Sequence, residues 1–284
     1  MESKNSHHEL PPRSFLFVPA DRPDFLAKAE SRGADALIID LEDAVSPTRK
    51  DTARRAAVSW LDKQSSVEPI WVRVNRGEHQ QSDLDALSGT AIAGVMLPKV
   101  EEASEIEKAI EGFVRSLKVI VIIETAKALR TLDSIAKAEG IYQLMIGEAD
   151  LGASLGMQIG HPAWDSLRID IVAASIAANV HPPIASVNPN FADPDTLREE
   201  TRHFRNMGYV SRPAIHPAQI ETINDALKPS PTEVMDAKDL LARHEAALAD
   251  DRGAHGQAGQ MIDEAFVRRA RWTIARHNEL ELGR

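Results

Sequence analysis

Glu124 follows the apolar run Val119–Ile123 (VIVII), and Asp150 follows Gln143–Gly147 (QLMIG). Each run has the length and composition of a strand buried on both faces. In a barrel of alternating strands and helices, residues just past the strand C-termini point into the mouth where chemistry happens. Two carboxylates brought there from adjacent strands suggest a hard divalent cation. Magnesium suits that donor set, because it prefers oxygen ligands and keeps much of its water, so two carboxylates plus a substrate suffice. No His-rich cluster and no cysteine accompany them, which turns the reading away from zinc and non-haem iron. A plainer reading stays open, in which Glu124 is a buried acid paired with Arg73 or Lys99.

Other polar residues fall at matching places. Asp40, Glu42 and Asp43 (DLED) follow the second strand, Arg73 and Asn75 close the third, and Lys99 follows the fourth in LPKV. Glu148 joins Asp150 after the sixth, and His216 follows the eighth. Arg73 is suited to grip a carboxylate through two parallel hydrogen bonds. Each has a structural alternative: DLED as acids favoured before a helix N-terminus, Lys99 and Arg73 as partners of those acids, His216 as a helix-entry residue. The functional case rests on their convergence on one mouth.

The elements that must position them alternate regularly. Strands are expected at Ser14–Pro19, Ala36–Ile39, Ile70–Val74, Gly94–Leu97, Val119–Ile123, Gln143–Ile146, Ile184–Val187 and Pro213–Ile215. Helices are expected over Pro23–Arg32, Pro47–Lys63, Ser82–Leu87, Glu101–Ser116, Ala126–Ala138, Ala163–Ala178, Pro194–Asn206 and Pro217–Ala226. Eight such repeats predict an α/β fold, a (β/α)8 TIM barrel with a C-terminal helical extension. A doubly wound open sheet is disfavoured, since no Gly-rich dinucleotide fingerprint follows strand one. After Lys228 the pattern changes: Pro229–Pro231 breaks the chain, a helix is expected over Thr232–Ala249, a polar stretch over Asp250–Gly259 and a last helix near Ile262–His277. The division is therefore a flexible tail over 1–12, with His7 and His8 solvent-exposed, a catalytic barrel over 13–228, and an extension over 229–284 too small to fold alone.

The 284 residues carry a formal net charge of −10. That argues against sequence-independent binding to nucleic acid or anionic lipid. It leaves room for an anionic substrate held by local arginine and lysine. No apolar run reaches the length of a membrane span, Met1–Pro12 lacks the apolar segment of a signal peptide, and the absence of cysteine excludes disulfides and a thiolate nucleophile. A cytoplasmic protein is expected.

An ordered set of motifs sharpens this. Arg13–Pro19 (RSFLFVP), Ala34–Val45 (ADALIIDLEDAV), Val72–Asn75 (VRVN), Leu97–Val100 (LPKV), Ile123–Ala126 (IETA), Gly147–Leu151 (GEADL), Ile215–Gln219 (IHPAQ) and Met261–Asp263 (MID) resemble the citrate lyase β-subunit-like family of the HpcH/HpaI aldolase superfamily. The resemblance runs from Arg13 to the last helix. It implies a homotrimeric barrel and a magnesium-dependent carbon–carbon lyase. The implied substrates are citramalyl-, malyl- or citryl-type thioesters of coenzyme A or a carrier protein, split into a 2-keto acid and an acetyl thioester. By motif, Glu124 and Asp150 become the Mg2+ ligands, with Glu124 also at the substrate, and Arg73 binds the carboxylate and stabilises charge. Asp263 becomes a proton-transfer residue reaching a neighbouring subunit's site, with Asp250–Gly259 as its lid. A malyl-type thioesterase and a carrier-protein-dependent subunit of a citrate lyase complex are the alternatives.

The chain departs from the family pattern in three places. Pro19 is followed by Ala20 where many relatives have glycine. Asp24 stands where some coenzyme A-using relatives carry a lysine, although Lys28 is retained one turn later as the expected handle-binding residue. An acid at 24 repels a nucleotide phosphate. Ser186–Pro194 (SVNPNFADP) also differs, which places a reshaped acyl pocket after strand seven.

Overall fold

The computed structural model describes residues 10–64, 69–111, 113, 117–249, 255–257, 260–262 and 264–281. The chain divides into two compact units, one spanning Pro11–Leu227 and one built mainly from the residues after it.

The first unit is a parallel barrel. Its strands are β1 (Ser14–Pro19), β2 (Ala36–Asp40), β3 (Ile70–Arg73), β4 (Gly94–Leu97), β5 (Lys118–Ile123), β6 (Ile141–Ile146) and β7 (Arg212–Ala214). They lie in the order β6-β5-β4-β3-β2-β1-β7, every pair parallel. The seventh expected strand, Ile184–Val187, shrinks to a single residue. Ile184 bridges Met145 of β6 on one side and Ser211, just before β7, on the other, which closes the ring. Pro182 and Pro183 precede it, and proline has no N–H to give a ladder.

Alternation along each strand splits the core in two. Phe15, Ile38, Trp71, Met96, Ile120, Met145 and Ile184 fill the barrel interior, while Leu16, Leu37, Val72, Val95 and Val121 pack outward among the helices. Gly94 matters to that filling, because a side chain there would collide with the Trp71 indole and the Lys118 carbonyl.

Several helices are shorter than their sequence pattern. Pro23–Arg32 is a helical turn over Pro23–Leu26 and a 3-10 turn over Glu30–Arg32. The Ala126–Ala138 pattern breaks at Thr131 into Ala126–Arg130 and Leu132–Ala136. Thr131 Oγ1 donates to the Glu101 carbonyl at 2.7 Å, a tertiary bond that competes with the helix ladder. A short helix, Glu148–Leu155, appears directly after β6 where no helix was expected. The expected tail ends early: Pro11 and Pro12 are buried, and the Pro12 carbonyl accepts a 2.6 Å hydrogen bond from Ser211 Oγ. His7 and His8 lie outside the described residues.

The second unit contains the helices Pro231–Ala249 and Glu264–Glu281, packed on each other, and an antiparallel pair, His255–Gln257 with Gln260–Ile262. The pair occupies part of the stretch expected to be an irregular lid. Among the described residues no helix is long and apolar enough to cross a membrane.

Candidate active site

The loop after β2 is built around Asp40, which is 1% exposed. Its carboxylate accepts from the Glu42 and Ala44 main-chain N–H groups at 2.9 and 3.2 Å and from Arg73 Nε and Nη2 at 2.8 and 2.6 Å. Asp40 is therefore a fastener that spends its lone pairs within the protein. Lys50 Nζ adds to it by donating to the Leu41 and Glu42 carbonyls at 2.9 and 2.6 Å. Arg73 Nη1 also lies 3.0 Å from Glu42 and 3.5 Å from Asp43, and its guanidinium stands over the Phe17 ring. Burial works against the Arg73 charge, but Asp40, Glu42 and Asp43 outweigh it and hold the guanidinium firmly protonated.

Lys99 follows β4 with a left-handed backbone, φ 52°. That turn aims its main-chain N–H at Glu124 Oε1, 2.7 Å away. Its ammonium crosses to the acids: 3.0 Å from Glu42, 3.6 Å from Asp150 and 3.9 Å from Asp43. Glu124, 6% exposed at the end of β5, thus receives a main-chain hydrogen bond, while the Lys99 side chain serves other acids. Burial, with repulsion from Glu42 and Asp150, pushes the Glu124 carboxyl up to about 7 despite the Lys99 N–H bond. Glu42 is also buried, and desolvation raises its pKa against the pull of Arg73 and Lys99. Its Oε2 faces Arg73 Nη1 at 3.0 Å as an ion pair without hydrogen-bond geometry.

Gly147 explains how the Glu124 carboxylate fits. A Cβ at 147 would stand 2.7 Å from Glu124 Cβ and 2.9 Å from its Oε2. The next residue starts the helix Glu148–Leu155, which places Asp150 in its first turn, where the helix dipole favours an acid. Glu148, beside it, is buried and paired with Arg168 Nε at 2.7 Å. Arg168 stacks on Phe204, and Arg212 lies over the same ring. Nothing local to GEADL signals Arg168, which is twenty positions away and meets Glu148 only through the fold. Gly147 carried a signal, a glycine at the end of an expected strand, directly before the candidate acids Glu148 and Asp150.

The structure brings Glu42, Asp43, Arg73, Lys99, Glu124 and Asp150 to the C-terminal ends of β2 through β6. Other candidates are spent elsewhere. Asn75 donates from N and Nδ2 to the buried Asp83 at 2.9 and 2.7 Å. His216 caps the turn Pro217–Gln219 by accepting from the Ala218 N–H, and it stacks on Phe191. Lys28 is exposed. Asp263 lies outside the described residues.

The donor set fits a hard divalent ion. Asp40, Glu42, Asp43, Glu124 and Asp150 together face two cations, Arg73 and Lys99. Burial is the main cost of the Glu124 carboxylate, and repulsion from Glu42 and Asp150 adds to it. Among the described residues no three acids or histidines are close enough together to ligate one ion. An ion that takes two carboxylates and fills its remaining positions with water or substrate needs no such set.

Comparison with known proteins places this mouth. The profile of the HpcH/HpaI aldolase/citrate lyase family matches residues 13–217. The chain belongs to this family. It is 35% identical over 274 residues to a citrate lyase subunit beta-like protein of Mycobacterium tuberculosis, covering 93% of this chain and 95% of the relative. It is 30% identical over 276 residues to a (3S)-malyl-CoA thioesterase of Cereibacter sphaeroides, covering 95% and 96%. Among solved structures it resembles CitE from Mycobacterium tuberculosis in complex with magnesium, acetoacetate and coenzyme A. That match has a TM-score of 0.81 at 32% identity, covering 94% of this chain and 98% of the other.

Proposed function

We propose that this chain is a magnesium-dependent carbon–carbon lyase acting on a 3-hydroxy acyl thioester of the malyl, citramalyl or citryl kind. The products are a 2-keto acid and an acetyl thioester. The observation that carries the reading is the Glu124 carboxyl, buried and pushed up to about 7 beside Glu42 and Asp150. A carboxylate so disfavoured when alone is poised for a cation. The all-oxygen donors of the proposed ligands, the family membership and the magnesium–coenzyme A complex of the CitE relative all support this choice.

In this reading Glu124 and Asp150 hold the metal. When bound, magnesium supplies Lewis acidity and a template for the keto-acid half of the substrate. Arg73, fixed at the end of β3 by Asp40, presents its remaining N–H groups to the substrate carboxylate and to charge that shifts as the bond breaks. Lys99 N–H keeps Glu124 in one orientation. Loss of the carbinol O–H proton to a general base lets that oxygen form the C=O bond of the keto acid while the bond to the α-carbon of the thioester breaks and its electron pair passes into the thioester as an enolate. The enolate carbon must then be protonated, a role assigned to Asp263 on its motif alone. Lys28 is the proposed contact for the thioester handle, and a homotrimer the proposed assembly.

The test is product analysis on the purified chain with magnesium and malyl- or citramalyl-coenzyme A. A lyase yields acetyl-coenzyme A and a 2-keto acid in equal amounts. Free coenzyme A with an intact hydroxy acid would instead establish a thioesterase, the second reading, which the malyl-CoA thioesterase relative favours.

A further inference from the structure

Lys99 has two separable roles in the mouth. Its main chain, bent to φ 52°, orients Glu124 through the 2.7 Å hydrogen bond. Lysine rarely adopts that conformation, so the bend is held by its surroundings. Its side chain does something else. The ammonium stands 3.0 Å from Glu42, 3.6 Å from Asp150 and 3.9 Å from Asp43, so it already occupies the place of a cation among these carboxylates. The closest of the three contacts is to Glu42, which is buried, whereas the Asp150 side chain is 47% exposed and held loosely.

A lysine ammonium near Asp150 and a divalent ion on Asp150 repel each other at short range. The two compete for one carboxylate. Glu42 gives the ammonium somewhere to stay when it leaves Asp150, because that 3.0 Å contact does not involve either proposed metal ligand. We infer that Lys99 is the resident counter-ion of this mouth, neutralising Asp150 until a divalent ion displaces it toward Glu42, and so sets the metal affinity of the free protein. This rests on the metal reading of Glu124 and Asp150. It adds that the affinity is held down by a residue that touches those acids without ligating the ion. Opening the metal site then costs one ion pair, and metal entry leaves the ammonium on Glu42.

The experiment is calorimetric titration of the full chain with magnesium chloride alone, at fixed low ionic strength, without substrate. Wild type is compared with Lys99→Met, Lys99→Asn and Lys99→Arg. Asparagine tolerates the left-handed backbone, so it removes the charge while sparing the bend. Thermal unfolding of each variant reports whether the Met chain strains the loop. Losing one partly exposed charge contact at the ion tightens binding by about fivefold, so the Asn variant, and the Met variant if folded, bind Mg2+ about that much more tightly than wild type. Lys99→Arg stays near wild type. Neutral variants that are folded but bind no more tightly than wild type overturn the counter-ion role and leave the metal reading standing. If neither wild type nor any folded variant takes up magnesium, both fall together.

Discussion

Glu124 offers a prediction that runs against the usual expectation for an active-site substitution. Its carboxyl is pushed up from an ordinary 4.5 to about 7, mainly by burial and then by Glu42 and Asp150, against the Lys99 N–H bond. A raised carboxyl favours the fold only while protonated. That contribution is complete below pH 4.5 and is lost as the pH climbs to about 7. Above that the folded, metal-free protein carries the whole cost of an ionised buried acid. At about 1.4 kcal/mol per pKa unit the cost is about 3 kcal/mol, and relaxation of the mouth brings it to about 2. Glutamine is neutral at every pH and keeps the oxygen that accepts from Lys99. Glu124→Gln is therefore expected to be more stable than wild type at pH 8 in EDTA, with a thermal midpoint higher by roughly 5 °C. The gain shrinks as the pH is lowered to 5. Saturating magnesium reverses the order, since it stabilises wild type by binding the folded state and has lost a ligand in the variant. Scanning calorimetry at pH 5 and 8, with EDTA or magnesium, gives all four comparisons. A glutamine variant no more stable than wild type at pH 8 in EDTA would refute the claim that Glu124 is a costly, cation-seeking acid.

Three further substitutions probe the rest of the mouth. Gly147→Ala pushes a methyl group to within 2.7 Å of Glu124 Cβ; it should weaken magnesium binding by at least about tenfold and cost about 1–3 kcal/mol of stability, measured by titration calorimetry and denaturant unfolding. Asp150→Asn is expected to abolish magnesium-dependent turnover with unchanged circular dichroism, because Asp150 is partly exposed and supports no core packing; full activity would remove it from the ligand set. Arg73→Lys loses the paired contacts to Asp40 and should lower kcat/KM by about a hundredfold, with part of the loss in KM, read from steady-state rates on a malyl thioester.

The barrel was legible because its strands are apolar on both faces: Phe15 and Leu16, or Ile38 and Ile39, face opposite layers that are both dry. The short forms of the elements were not. Ile184–Val187 has a strand's composition, but it bridges its neighbours only at Ile184, and Pro182 and Pro183 before it offer no N–H to extend the ladder backwards. The Ala126–Ala138 helix breaks because Thr131 finds the Glu101 carbonyl, a partner thirty residues away. The site divides the same way. Strand ends predicted which side chains gather, since a parallel barrel sends them to one mouth. They allowed Arg73 and Lys99 as partners of the DLED acids, which the structure shows, but not which acid each would take. Asp40 has the same residue type as Asp150 and opens on the same mouth, at the end of β2, yet Asp40 is fully committed to Arg73 and two main-chain N–H groups. The Lys99 N–H bond to Glu124 depends on a left-handed lysine, and lysine as a residue type gives no hint of that conformation.

The one-residue stave at Ile184 has a consequence for the integrity of the ring. Where a full strand would supply a longer ladder, the seam between β6 and β7 has a few main-chain hydrogen bonds around Ile184, and side chains reinforce it. Gln143, fully buried, donates to the Pro182 carbonyl at 2.8 Å and to Ser211 Oγ at 3.1 Å, and Ser211 in turn donates to the Pro12 carbonyl. The circle is thus buckled by a glutamine and a serine, with the chain's N-terminal approach threaded through the buckle. Trimming that approach back past Pro12 would undo the clasp at a point remote in sequence from every acid in the mouth, and the hoop would part there first.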